Sequence, residues 1–98
     1  MINLDPALLK YYASKYIWWK TPDEAVSFPQ HVIAQVMNIG SYEDVESLTD
    51  LVGDDIIRRV LQQAEPGQFD ANSWAYWHYR LNLAPMGKVP LLPRRQFL

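Results

Sequence analysis

Cysteine is absent from all 98 residues, so neither disulfides nor thiolate metal sites are available, as fits a reducing compartment. No apolar run approaches the roughly 20 residues that a membrane-crossing helix needs. The opening MINLDPALLK carries Asp5 and Lys10 where a signal peptide would need an unbroken apolar stretch. A cytoplasmic, soluble protein with no membrane partner is therefore expected. Internal repeats and low-complexity segments are also missing, and acids stop altogether after Asp70.

The net charge of −2 hides an uneven distribution. Residues 1–20 hold three lysines against Asp5, residues 21–70 hold ten acids against Arg58 and Arg59, and residues 71–98 hold four bases and no acid. An acidic middle works against polyanions, whose phosphates need clustered Lys and Arg. At this length folding hides roughly two-thirds of the surface, enough for one core and one domain.

What is present is helical periodicity. Val32, Ile33, Val36, Met37 and Ile39 recur at the three-and-four spacing of one helix face. Gly40 ends that pattern in an expected left-handed turn, with Ser41 as the next cap. Tyr42, Val45, Leu48 and Val52 form a second stripe, stopped by Gly53. Asp54 is expected to cap a third, carried by Ile56, Ile57, Val60, Leu61 and Ala64. These three helices, within Gln30–Ala64, are the scaffold on which the rest should pack.

Upstream, Asp5-Pro6 reads as a helix start, with Leu4 and Leu9 at hydrophobic-staple positions. That helix runs through Leu8, Tyr12 and Tyr16 and frays into Ile17, Trp18 and Trp19. Adjacent tryptophans cannot face the same way, so one is expected to be partly exposed. Thr21-Pro22-Asp23-Glu24 is a capping box launching a short helix that Pro29 cuts off after Phe28. Downstream, Pro66-Gly67 is a turn and Asp70 caps the last helix, with Phe69 placed to staple onto Trp74. Trp74, Trp77, His78 and Leu81 make one face of it; Tyr76, Tyr79 and Leu83 make another.

From Ala84 three prolines and a glycine in fifteen residues predict an extended segment. Val89, Leu91, Leu92 and Phe97 are too apolar for it to stay idle. The expected architecture is all-α: a compact bundle of five to six short helices over residues 1–83, then a Pro-rich tail over 84–98 that docks on its own domain or on a partner.

Little in the chain points to chemistry. His31 and His78 sit on different helices without metal-ligand spacing, and His78 reads as a packed, hydrogen-bonded core residue. No cofactor or metal is expected, nor an enzyme. Asp54, Asp55, Arg58 and Arg59 stand at the i,i+4 order of surface ion pairs. The two helices around Gly53 also permit a helix-turn-helix-like, nucleic-acid-binding reading, with Arg58, Arg59 and the basic tail as its support. Against it, the second helix would present Asp54 and Asp55 to DNA, so nucleic acid is the less favoured partner.

Four tryptophans, six tyrosines and three phenylalanines are many for one small core, and surplus aromatics mark protein interfaces. The candidate partner-binding residues are Trp18 and Trp19; Tyr76, Tyr79 and Arg80; and Leu91, Leu92, Arg94, Arg95 and Phe97. Pro90-Leu-Leu-Pro93-Arg-Arg95 also matches the spacing of proline-rich ligands.

The runs Ala34-Gln-Val-Met-Asn-Ile-Gly40, Tyr42-Glu-Asp44, Leu48, Val52-Gly-Asp54 and Ser73-Trp-Ala-Tyr-Trp77 give the chain a family likeness over residues 17–83. It resembles small helical bacterial proteins often encoded beside nucleotidyltransferase-like toxins of the AbiEii type. The resemblance implies a non-enzymatic, antitoxin-like or accessory protein that binds a partner, with a nucleotidyltransferase first among candidates and a homodimer as the rival. The basic winged-helix region of antitoxins that repress their own operon is missing, so the resemblance does not extend to DNA binding.

Overall fold

The computed structural model describes residues 5–93, and within them every regular element is a helix. They are α1 (Pro6–Tyr16), α2 (Pro22–Ala25), α3 (Pro29–Ile39), α4 (Tyr42–Val52), α5 (Asp54–Gln62) and α6 (Ala71–Arg80). The Cα radius of gyration, 13.5 Å, is that of one compact body.

Local chemistry sets most helix starts. Asp5 accepts from the Ala7 amide at 2.9 Å, and Pro6 occupies the first helical position, where no amide hydrogen is missed. The Thr21–Glu24 capping box forms in full. Ser41 and Asp70 accept from the amides of Asp44 and Ser73. The Phe69 ring meets Trp74 at 5.9 Å between centroids, the expected staple.

Several junctions differ from expectation. Gly40 is extended (φ −65°), not left-handed; glycine is required there because a Cβ would collide with the Val36 carbonyl. Gly53 does have a positive φ, 85°, and itself occupies the position before α5, so Asp54 is the first helical residue and not the cap. Pro29 does not cut α2, which has ended at Ala25; it starts α3. Leu4 of the expected Leu4–Leu9 staple lies outside the described residues.

Helix α3 packs against each of the other five helices. That explains its composition: Val32, Ile33, Ala34, Val36 and Met37 are all buried, a band too wide for a helix lying on a surface. Its last carbonyls, which lack helical partners, are taken up by α6. The Trp77 indole donates to the Met37 carbonyl at 2.9 Å and the Ser73 hydroxyl to that of Asn38 at 2.8 Å, while the Asn38 side chain accepts from the Asp70 amide. Side chains from one helix thus cap the other.

Helix α6 ends in a Schellman turn. Leu83 N–H donates to the His78 carbonyl and Asn82 N–H to that of Tyr79, with Asn82 left-handed at φ 56°. The chain then bends back. Gly87, at φ 79°, closes a turn in which Lys88 N–H donates to the Pro85 carbonyl, and Val89 and Leu92 pack on the core.

An aromatic-walled cleft as candidate binding site

Helix α1 stops at Tyr16, whose successor Ile17 is buried as its cap, and the chain must then cross to the Thr21 box in four residues. That crossing leaves Trp18 and Trp19 outside the helix. Both are exposed, at 81% and 54%, where one was expected to be; their rings touch edge to face at 5.4 Å.

A second wall comes from the start of α3. Pro29 fixes the helix entry, so Phe28 stands just before it and stacks on His31, one turn along, at 5.4 Å. Lys20 places its ammonium 5.0 Å from the Phe28 ring, a cation–π contact. The far side is the Glu65–Gln68 turn after α5, with Glu65 3.9 Å from His31 Nε2. Between these walls lies a cleft of about 590 Å³, within the range of ordinary binding sites; Trp19 lines it, while Trp18 stands outside, against Trp19.

Amide side chains, Gln35, Asn38 and Gln68, line its inner part. Gln35 donates to the Tyr16 carbonyl, and Gln68 accepts from the Glu65 amide. A site so lined can hold a ligand by apolar contact and hydrogen bonds, with Lys20 and Glu65 as the charged groups at its edge.

The other sequence candidates fall in two further neighbourhoods. On α6, Arg80, a candidate partner contact, is tied down within the fold: it makes a two-pronged ion pair with Glu46 of α4, at 2.6 and 3.2 Å, donates to Tyr76 Oη and lies over the Trp77 ring. The paired carboxylate raises the guanidinium's already high pKa. Tyr76 is half exposed, and Tyr79 accepts from the Gly87 amide. Leu91 is exposed, whereas Leu92 packs on the core. Arg94, Arg95 and Phe97 lie outside the described residues.

His78 is the packed core histidine expected of it, buried and 2.7 Å from the Trp74 carbonyl, which makes Nδ1 the protonated nitrogen. Arg58 pairs with Asp55 at i,i+3, not with Asp54 at i,i+4, and also reaches the Leu81 carbonyl. Asp54 and Asp55 stand exposed at the start of α5. Among the described residues no cluster of three His, Cys, Asp or Glu is placed to hold a metal, and no helix is long and apolar enough to cross a membrane.

One buried polar cluster was not foreseen. Asp44 of α4 accepts from Tyr16 Oη at 2.5 Å and from Lys15 Nζ at 2.7 Å, while Tyr16 Oη accepts from the Ser41 amide. The Lys15 and Tyr16 bonds hold the Asp44 carboxyl below the usual carboxylate range, and Asp44 in turn raises Lys15. Phe28, His31, Lys20 and Glu65 also escaped the sequence reading. Only Phe28-Pro29 carried a usable signal, an aromatic pinned before a helix by proline.

Fold and cleft together define an all-helical domain with an aromatic-walled groove and no assembled reactive centre among the described residues. No family model, curated protein or solved structure matches the chain.

Proposed function

We propose that the protein is a non-enzymatic interaction module that holds a protein partner in the cleft bounded by the α1–α2 connector, the first turns of α3 and the Glu65–Gln68 turn. The observation that carries this is the tryptophan pair: Trp18 and Trp19 stay in water while Trp74 and Trp77 are buried. Exposed apolar rings beside a concave, partly apolar site are the usual anchor of a protein interface.

Charge favours a protein over a nucleic acid. Lys20 already sits on Phe28, and Glu65 lines the cleft beside His31. A partner segment with apolar residues and one basic group suits these walls. The family resemblance makes a neighbouring AbiEii-type nucleotidyltransferase the first partner to test, in an antitoxin-like or accessory role within the cytoplasm. The Pro-rich segment after Ala84 belongs to this reading as an extended tail, with its basic end as a second contact.

The test is co-purification from the native host with wild-type chain and with the Trp18→Ala/Trp19→Ala double variant, after matching their helical circular dichroism. A partner held by the wild type and lost from the variant supports the cleft. Equal recovery overturns it.

A further inference from the structure

The amide side chains that line the cleft are not free to turn. Gln35 Nε2 donates to the Tyr16 carbonyl at 3.3 Å, Gln68 Oε1 accepts from the Glu65 amide at 2.9 Å, and Asn38 Oδ1 accepts from the Asp70 amide at 3.0 Å. A backbone carbonyl only accepts and a backbone N–H only donates, so each anchor decides which end of the side chain is left over. Gln35 keeps an acceptor, Oε1, while Asn38 and Gln68 keep donors, Nδ2 and Nε2. Among the described residues these atoms take no further partner. Gln35 and Asn38 lie one turn apart on α3, so an acceptor and a donor stand side by side.

That pattern suits an extended chain. A docking helix has its own N–H and C=O groups bonded within itself and offers such amides only side chains. In an extended segment both groups are unpaired, and those of one residue point to the same side. The fold already holds its own Pro-rich segment by bonds from side chain to main chain: the Trp74 indole donates to the Pro90 carbonyl at 2.8 Å, and Tyr79 Oη accepts from Gly87 N–H at 3.1 Å. Around the cleft's amides, Trp19 and Phe28 offer apolar contact and Glu65 a negative charge.

We propose that the cleft reads the main chain of an extended partner segment. One residue's N–H donates to Gln35 Oε1 and its C=O accepts from Asn38 Nδ2, a further C=O accepts from Gln68 Nε2, and an apolar side chain lies against Trp19 and Phe28. This rests on the reading of the cleft as a protein site and adds which part of a protein enters it. Specificity then comes from an apolar side chain and a basic one beside Glu65, because the main-chain bonds are indifferent to sequence.

The probe is a peptide. Short random peptides on phage are selected on the full chain and counter-selected on Trp19→Ala, and the retained peptide is synthesised with each backbone amide in turn replaced by an ester. The wild-type protein should lose about fivefold in affinity where the N–H facing Gln35 is removed. Asn38→Asp and Gln68→Glu, after matching their helical circular dichroism, keep the anchoring oxygen and turn the free donor into an acceptor. Each should weaken the peptide about tenfold, although added negative charge alone would draw a basic peptide closer. Failure to select any Trp19-dependent peptide, an ester scan without a sensitive position, or equal or tighter binding by both variants overturns main-chain reading. A partner that still co-purifies through Trp18 and Trp19 would in that case leave the cleft as a protein site whose occupant is not an extended chain.

Discussion

Asp44 is the residue whose chemistry the rest of the molecule most constrains. Its ordinary pKa of 3.8 applies to the unfolded chain, and Lys15 and Tyr16 depress it in the fold. The folded protein therefore takes up this proton only at lower pH. The stabilisation is fully present above roughly pH 5 and disappears as pH falls through the depressed value. Asp44→Asn should be less stable than wild type at pH 7, with a difference that shrinks in acid. Urea melts from pH 2 to 7 would show it, and a constant gap would refute it. Trp77→Phe keeps a ring in the core but strands the Met37 carbonyl, at a cost of about 2–3 kcal/mol by the same measurement. Neither group's role was legible in the sequence. Glu43-Asp44-Val45-Glu46 reads as a solvated helix start, and its partners Lys15 and Tyr16 stand 28 or more residues away.

At the scale of elements, what could be read was what neighbouring residues decide. Asp5-Pro6, the Thr21 box, Ser41, Asp70 and the Phe69–Trp74 staple all depend on contacts within five positions, and all form. The misreadings are local too, at helix ends whose backbone course the residue type alone does not fix. Gly40 was read as a left-handed residue, yet it is the closeness of the Val36 carbonyl that demands it. Asn82 closes α6 in a Schellman turn although no glycine marks the place. Gly53 is the junction where the backbone itself is at stake. Its φ of 85° with ψ of 159° lies where side chains are barely tolerated, so Gly53→Ala should cost about 1–3 kcal/mol although a Cβ there has open space around it. A shift in the denaturant midpoint with an unchanged slope would confirm a local backbone effect. No shift would mean that the α4–α5 junction adapts.

The whole molecule is a small bundle around α3 whose core has taken Trp74 and Trp77 and left Trp18 and Trp19 outside. The candidate site was half legible: adjacent tryptophans cannot both be buried on one helix, but the opposite wall of Phe28, His31 and Glu65 needs α3 and α5 brought together. The central claim is that this cleft holds a protein. Its most direct measurement is the dissociation constant of the co-purified partner for the wild type and for Trp18→Ala/Trp19→Ala, each at low and high salt. Binding through buried rings predicts a weakening of roughly 30-fold or more in the variant, with little response to salt. An equal constant for the two proteins, or an affinity that collapses with salt as phosphate contacts do, would contradict the claim.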